Sequence, residues 1–251
     1  MPIQFIQQLT GAERSQKTNF QLGAYLAFVA GAINAGGFLA ISRYTSHMSG
    51  IISAIGDDLA LSDFISVLGG LSLLLSFLFG ATSTAIIVHW ARRQKIHSEF
   101  ALPLLIEAIL LLIFGLVGAN LNFYLPLTVP AIALLLCFVM GLQNAIITKA
   151  SMSEIRTTHM TGVVTDIGIE IGKLIYWNKS NAANNRNFVK ANREKLTTHS
   201  AIFGMFLIGG IVGAISFKKV GYISVVPLSL SLVLISGMQI YRDMKNLMNY
   251  D

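Results

Sequence analysis

The chain has 251 residues, of which 54% are hydrophobic and 12% are charged, and a soluble globular protein carries about twice that charged fraction. The mean hydropathy is +0.65. Several uncharged apolar runs approach the roughly 20 residues that cross a bilayer as a helix, whereas the alternating segments of a β-barrel do not occur. The composition therefore predicts an all-α polytopic membrane protein in a lipid bilayer. The net charge of +6 is expected in loops beside the membrane, and no basic patch with interleaved aromatics indicates a nucleic-acid partner.

Eight apolar or amphipathic pieces follow one another along the chain. They are predicted at 22–41, 46–61, 64–90, 101–121, 126–149, 157–177, 200–217 and 220–241. The first is rich in glycine and alanine, which let membrane helices approach closely. The second is short for a span and ends at Asp57 and Asp58, and the sixth is amphipathic. Residues 1–20 are predicted to form a polar tail and residues 242–251 a charged one.

Polar motifs in the first half of the chain recur in the second half. Gly31-Ala32-Ile33-Asn34-Ala35 matches Gly141-Leu142-Gln143-Asn144-Ala145, and Ser46-His47-Met48-Ser49-Gly50 matches Thr158-His159-Met160-Thr161-Gly162. The pieces therefore predict one membrane domain, residues 21–241, made of two homologous repeats, 21–122 and 126–241. Internal repeats in a membrane protein are typical of transporters or channels that carry their site at the repeat interface.

The basic residues predict the orientation in the membrane. If the second and sixth pieces re-enter the side on which they began and the N-terminus is cytoplasmic, only Arg43, Lys218 and Lys219 of the 18 Lys and Arg residues lie outside. Eight full crossings would divide the basic residues far more evenly. The prediction is about six full spans plus two short re-entrant polar helices, inverted repeats, and both termini on the cytoplasmic side of a bacterial inner membrane. Eight spans are the alternative, because the sixth piece is long enough to cross.

The two histidine motifs are the main candidates for a binding site. Ser46, Thr157 and Thr158 are residue types that cap helix N-termini, and a helix that begins within the membrane turns its free N–H groups and positive dipole end toward a ligand. His47 and His159 at such ends could donate a hydrogen bond to an anion or carry a proton. The alternative is that each histidine only caps or links helices.

Amide side chains accompany the histidines in the apolar pieces. Asn34 and Asn144 occur once per repeat, and Gln143 adds a third amide. Buried amides commonly hydrogen-bond a neighbouring membrane helix, so a structural role is slightly favoured, although it is compatible with lining a site.

Charged residues in the second half supply further candidates. Asp166 and Glu170 are four residues apart, Glu170 and Lys173 are three apart, and all three share one helix face. We expect Asp166 to belong to the functional site and Glu170 and Lys173 to form a solvated ion pair at the surface. Arg156 is expected near Glu154, where it is available to Asp166 or to an incoming anion.

Glu107 is a single acid inside the fourth apolar piece. A carboxyl group in that position is a candidate proton site, together with Asp166, and it is equally compatible with a carboxylate that reaches the interface or pairs with a cation.

Other chemistries find no support in the pattern. Cys137, the single cysteine, lies in an apolar run, which excludes a disulfide and a cysteine-rich metal site, and the histidine spacings do not indicate zinc. No nucleotide-binding loop, nucleophile elbow or cofactor motif is present, so we expect neither an enzyme nor a cofactor.

At these motifs the chain resembles the bacterial DUF1275 family, also called YoaK-like membrane proteins. The resemblance rests on the two Asn-Ala motifs, the two His-Met motifs with the preceding Arg156, and Thr165-Asp166, and it covers nearly the whole chain beyond the N-terminal tail. Ile51 stands where the family's first motif often continues with Asn. The family implies an integral membrane protein and implies no activity.

The sequence predicts a secondary transporter or permease for a small solute, anionic and proton-coupled in its simplest form. The site would contain His47, His159, Asn34, Asn144, Gln143, Arg156 and Asp166. A passive channel of the same architecture is the first alternative, and an intramembrane enzyme or a non-transporting scaffold is the second. The small-residue helix faces also allow a homo-oligomer.

Overall fold

A computed structural model describes residues 15–119, 125–177 and 188–248, and these residues form eight α-helices and one 3-10 turn. The helices are α1 Gln16–Ile41, α2 Met48–Ala60, α3 Phe64–Arg93, α4 Ala101–Ala119, α5 Leu125–Ala150, α6 Met160–Ile175, α7 Arg193–Val220 and α8 Val225–Met248. The helix α1 begins at Gln16 rather than at residue 22 as predicted, because Ser15 accepts a hydrogen bond from the Thr18 amide and caps the extra turn. The all-α prediction is confirmed.

Five stretches are long and apolar enough to cross a membrane, and the last of them, Arg193–Asp243, contains both α7 and α8. The two short helices differ from these. At about 1.5 Å per residue, the 13 residues of α2 extend about 20 Å and the 16 residues of α6 about 24 Å, less than the roughly 30 Å of a bilayer core. The long helices make the chain an integral, multi-pass membrane protein.

Two pairs of long helices pack in parallel through a shared motif, Phe-x-x-Gly. It occurs at Phe28 and Gly31 in α1, Phe77 and Gly80 in α3, Phe138 and Gly141 in α5, and Phe206 and Gly209 in α7. Where α1 crosses α7, a Cβ atom on either glycine would collide with the carbonyl oxygen of the phenylalanine on the other helix, and the same holds where α3 crosses α5. Glycine is therefore required at both crossings, since the backbones approach too closely for any side chain.

The other long helices complete the bundle. The helices α4 and α8 pack antiparallel, with the Ser229 hydroxyl donating to the Ala108 carbonyl at 2.5 Å, and α1 lies against α5 at the centre. Gly221, with φ of 79°, ends α7 in a backbone conformation that favours glycine, and the 3-10 turn Gly221–Ser224 leads into α8. The buried core runs along the inner faces of α1, α4 and α5.

Each short helix packs antiparallel on the long helix that follows it. In α2, the Ile55 side chain lies over Gly70 of α3. In α6, Asp166 and Glu170 contact residues at and just before the start of α7. The helix α2 thus lies on the side of the bundle where α1 ends, and α6 lies on the side where α1 begins, which we call the N-terminal side.

Candidate functional site

The two candidate histidines occupy the same structural position. His47 is the N-cap residue of α2 (φ −93°, ψ 69°) and His159 is the N-cap residue of α6 (φ −81°, ψ 60°). Neither side chain makes a capping hydrogen bond. The prediction that Ser46, Thr157 or Thr158 would cap these helices is therefore wrong, because the chain enters the helical conformation one residue later.

The imidazole rings explain the glycine of the His-Met-Ser/Thr-Gly motif. A Cβ atom on Gly50 would lie 2.6 Å from Nδ1 of His47, and one on Gly162 would lie 2.5 Å from Nδ1 of His159. Each ring therefore rests over the first helical turn in space that a side chain at the glycine would occupy. Both histidine side chains are exposed in the isolated chain.

The start of α6 is tied to the middle of α5. The Thr158 hydroxyl donates to Oδ1 of Asn144 at 2.8 Å, and Nδ2 of Asn144 donates to the Met140 carbonyl at 2.8 Å. Asn144 follows Gly141, the point where α5 crosses α3, by one turn. The chain therefore leaves the end of α5 at Ala150, returns toward the level of the crossing, and begins α6 there.

The start of α2 reaches a similar level from the other side. Met48 and Ile51 pack against a cluster that contains Cys137 of α5 and Phe77 of α3, and Phe77 belongs to the same helix crossing. The N–H groups in the first turns of α2 and α6 consequently lie near the middle of the bundle. Their positive dipole ends favour negative charge at that depth.

Several buried polar atoms near these helix starts have no hydrogen-bond partner within the described ranges. They include the hydroxyls of Thr45 and Thr157, which occupy equivalent positions and are 1% and 0% exposed. Oδ1 of Asn34 and Oε1 of Gln143 are likewise unpartnered, although Nε2 of Gln143 donates to the Leu26 carbonyl at 2.9 Å. The amide of Gln143 links α5 to α1, as the structural interpretation of these amides predicts.

Asp166 is the centre of an ionic cluster between α6 and α7. Its Oδ1 accepts from Lys195 Nζ at 3.0 Å, and its Oδ2 lies 3.2 Å from Nε2 of His199. The hydrogen bond from Lys195, aided by the charges of Lys195, His199 and His159, lowers the pKa of Asp166 below its usual value of 3.8. Asp166 therefore remains a carboxylate at neutral pH.

His199 has an oxygen atom facing each of its ring nitrogens. Its Nδ1 lies 2.8 Å from the Lys195 carbonyl oxygen, and its Nε2 faces the Asp166 carboxylate. Asp166 is therefore contacted by two basic side chains of α7, Lys195 and His199, which lie one helical turn apart.

A cavity of about 770 Å³ opens next to this cluster on the N-terminal side, which lies in the size range of small-molecule sites. It lies between the start of α1, the segment that joins α5 to α6, and the start of α7. Its polar lining includes Lys17, Asn19, Glu154, Asp166, Lys195 and His199.

Glu170 departs from its predicted surroundings. It forms the expected ion pair with Lys173, with Nζ and Oε1 2.8 Å apart, but its side chain is 3% exposed rather than solvated. The second oxygen, Oε2, accepts from the Asn192 amide at 2.7 Å. These contacts lower the pKa of Glu170 below its usual value of 4.5 and fasten the far end of α6 to the start of α7.

The structure brings the predicted residues together only in part. Asn144, His159 and Asp166 lie along α5 and α6 in one region, whereas His47 lies at the start of α2 on the opposite side. Arg156 is exposed, and the ion pairs of Asp166 are made by Lys195 and His199. Neither histidine motif lines the cavity beside Asp166 or a second one bounded by Lys173 and Phe188, so a shared cavity for His47 and His159 stays a prediction.

Sequence reasoning missed Lys195, His199 and the four Phe-x-x-Gly motifs. The motifs were detectable as a word that recurs in four apolar pieces. Lys195 and His199 carry a weaker signal, namely two basic residues at i, i+4 spacing at the start of a span, facing the acids of the preceding helix.

The fold and these helix starts define a multi-pass α-helical membrane protein whose described residues include two short, histidine-capped helices beside the long ones. The chain belongs to the DUF1275 family, described as a protein of unknown function, and the family match covers residues 22–238. A curated relative, the UPF0700 transmembrane protein YoaK of Bacillus subtilis (strain 168), is 25% identical over 156 residues, which cover 61% of this chain and 68% of the relative. The predicted resemblance is thereby confirmed. No solved structure matches the chain.

Proposed function

We propose that the protein is a secondary transporter of the bacterial inner membrane that moves a small anionic solute, with both termini in the cytoplasm. The observation that carries the proposal is the matched pair of helix starts. The helices α2 and α6 begin near the middle of the bundle from opposite sides, each with a histidine ring over its first turn. Two positive helix ends at that depth form a pair of anion-attracting centres.

The helix packing supports inverted repeats, with α1 to α4 as one copy and α5 to α8 as the other. In each copy, the first helix packs in parallel with the third helix of the other copy through reciprocal Phe-x-x-Gly contacts. If the two copies are exchanged, the crossing of α1 with α7 takes the place of the crossing of α5 with α3. Rocking of such repeats against each other is how many transporters expose a central site to each side in turn.

The candidate residues receive roles from their positions. His47 and His159 donate hydrogen bonds to the anionic group, and the amides of Asn34, Asn144 and Gln143 line or brace the site. Arg156 attracts the solute, and the cavity beside Asp166 serves as the cytoplasmic vestibule. Glu107 and Asp166 are the candidates for proton coupling. Glu107 is a buried acid without a hydrogen-bond partner among the described residues, whereas Asp166 would take up a proton only when its contact with Lys195 opens.

A ligand screen followed by a flux assay tests the proposal. Purified protein is heated with small inorganic anions, organic acids, amines and sugars at two pH values, because a ligand of the native state raises the melting temperature. The variants His47→Ala, His159→Ala and the double variant are compared with His97→Ala, an exposed histidine between α3 and α4. We expect an anion to stabilise the wild type and His97→Ala, and to lose its effect in the double variant.

Uptake of the stabilising solute into proteoliposomes then distinguishes the mechanisms. A transporter saturates with solute, and a proton-coupled one acidifies or alkalises the lumen as it works. Flux that rises without saturation indicates the passive channel, and chemical change of the solute indicates an enzyme. Equal stabilisation of the wild type and the double variant by every ligand would contradict the assignment of the histidine motifs.

A further inference from the structure

Glu107 has surroundings unlike those of the other acids described above. It lies in α4, is 0% exposed, and neither of its carboxyl oxygens has a hydrogen-bond partner in the described part of the chain. Its neighbours along the helix face, Leu104, Ala108 and Leu111, are also fully buried. Glu107 follows the first residue of α4 by six positions, about 9 Å along the helix axis, which is deeper than the headgroup region.

None of the ion pairs between described residues involves Glu107, and the charged residues on the helices packed against α4 lie near the ends of those helices. Arg92 of α3 pairs with Glu99, Lys149 of α5 lies 3.3 Å from the His89 ring, and Asp243 of α8 accepts from the Ser98 amide at 3.0 Å. All of these contacts lie at the helix ends on the N-terminal side. An ionised carboxylate in apolar surroundings without a cation or a donor is strongly unfavourable, so a group in this position binds a proton instead.

Tyr25 of α1 is the titratable group within electrostatic range of Glu107. Its hydroxyl contacts Ser231 of α8, and the Ser231 hydroxyl donates to the Leu228 carbonyl at 2.6 Å. Since the serine proton is used in that bond, Tyr25 must donate its own proton to Ser231. The Tyr25 hydroxyl therefore has no free proton to donate to Glu107, so this neighbour does not stabilise a carboxylate at Glu107.

We propose that Glu107 is a proton-binding site in the membrane interior, occluded from both sides in this conformation and formed by α1, α4 and α8. Release requires movement of α1 against α8, which separates Tyr25 from Ser231 and admits water. The O–H bond of the Glu107 carboxyl then breaks, the proton passes to a water molecule, and the carboxylate that remains accepts a hydrogen bond from the freed Tyr25 hydroxyl. This inference does not depend on the histidine motifs or on the identity of a solute.

Infrared spectroscopy of the purified protein at neutral pH tests the proposal directly. A protonated carboxyl group shows a carbonyl stretch that carboxylates lack. Spectra of wild-type protein in an ester-free detergent are compared with spectra of protein grown on glutamate labelled with ¹³C in the side-chain carboxyl. We expect a protonated-acid band that shifts on labelling, and no such band at neutral pH would overturn the proposal.

Variants assign the band to one residue. Glu107→Gln should abolish it, and Glu99→Gln, a matched change at a buried acid that is paired with Arg92, should leave it unchanged. If Glu107→Gln does not fold, Glu107→Asp serves instead, and its band should lose the shift on glutamate labelling. A labelled band that persists in Glu107→Gln would overturn the assignment in favour of another acid. A wild-type band that disappears in sodium salts and returns in their absence would overturn it in favour of a site that binds sodium.

A tyrosine variant tests the surroundings of the site. Tyr25→Phe removes the hydroxyl while it keeps the ring, so the Glu107 band should persist but change in frequency, because the acid loses its polar neighbour. An unchanged frequency would exclude Tyr25 from the site. These spectra do not require transport, so a negative flux assay and a negative infrared result remain separate findings.

Discussion

The two short helices, α2 and α6, share a backbone plan and differ in what holds them. Both begin at a histidine N-cap whose ring lies over a glycine, and both pack antiparallel on the next long helix. The helix α6 is fastened to α7 by the Asp166 and Glu170 contacts, whereas none of the ion pairs between described residues involves α2. When the histidine and phenylalanine motifs are aligned, Asp166, Lys195 and His199 correspond to Ala54, Ser66 and Gly70.

Two short helices with the same N-terminal motif are thus held by different forces, an ionic contact for α6 and an apolar contact for α2. Ile55 over Gly70 holds α2 by apolar packing, which is insensitive to pH and weakly sensitive to salt. The contact of α6 depends on charges and responds to both. Under the proposed orientation, α6 and α7 lie on the cytoplasmic side, so the contact between helices that responds to salt and pH is the cytoplasmic one.

The largest expected effect comes from the two Phe-x-x-Gly helix crossings. Gly31→Ala and Gly141→Ala should each destabilise the protein by about 3 kcal/mol, because the new methyl group meets a backbone carbonyl that cannot move aside. Thermal unfolding in detergent measures the effect. Gly204→Ala in α7, where no atom lies within 4 Å of the new group, is the control and should be neutral or stabilising. A tolerated change at one crossing and a severe one at the other would break the equivalence of the halves.

Removal of the buried carboxylate should loosen α6 and spare α2. Glu170→Gln weakens the bonds to Lys173 and to the Asn192 amide and should destabilise the contact between α6 and α7. Hydrogen exchange followed by mass spectrometry should show faster exchange in α6 and unchanged exchange in α2. The matched change Asp58→Asn, at the equivalent position of α2, should leave both helices as they are. Faster exchange in α2 after Glu170→Gln would contradict separate control of the two helices.

Acid should act on α6 in the same way. The pKa values of Asp166 and Glu170 are lowered by their partners, so their stabilisation is fully present above the usual values of 3.8 and 4.5 and is lost as the pH falls through the lower folded values. The difference in melting temperature between wild type and the double variant Asp166→Asn, Glu170→Gln should therefore be constant near neutral pH and shrink below about pH 4.5. A difference that is unchanged at acid pH would show that these carboxylates do not stabilise α6.

The smallest expected effect comes from introducing an ion pair between α2 and α3 like the one between α6 and α7. Ala54→Asp together with Ser66→Lys places an ion pair between α2 and α3, at two half-buried positions that align with Asp166 and Lys195. Such a pair should contribute less than about 1 kcal/mol and should weaken as salt is added. A double-mutant cycle on melting temperature isolates the coupling between the two positions. Zero coupling at low salt would mean that residues 54 and 66 are not neighbours in the way that Asp166 and Lys195 are, so that α2 packs on α3 differently from α6 on α7.

Much of the fold was readable from residue patterns because a membrane imposes strong limits on them. Apolar runs of bilayer length predicted the long helices, and the pieces predicted to begin at residues 46 and 157 located the starts of α2 and α6 within three residues. The N-cap residues were predicted wrongly, because a preference for hydroxyl caps is a local tendency and the Thr158 hydroxyl is used by Asn144 across the fold.

The candidate site was less predictable because its members come from separate parts of the chain. Asp166 could be singled out as an acid in an amphipathic piece, but its partners Lys195 and His199 lie on the next helix, beyond a polar loop. Burial decided the status of Glu170 in the same way. An i, i+3 ion pair is visible in sequence, whereas its coverage by the Asn192 backbone is not.

Composition and motif alone determined that this chain is an α-helical membrane protein of its family, with two histidine motifs in corresponding places. These features are local, since each depends on a run of residues or a short spacing. Tertiary structure decided which glycines meet a backbone, that Asp166 pairs with α7, and that Glu107 lies in the bundle without a charged partner. Those outcomes depend on which helix faces meet, and no local pattern records that.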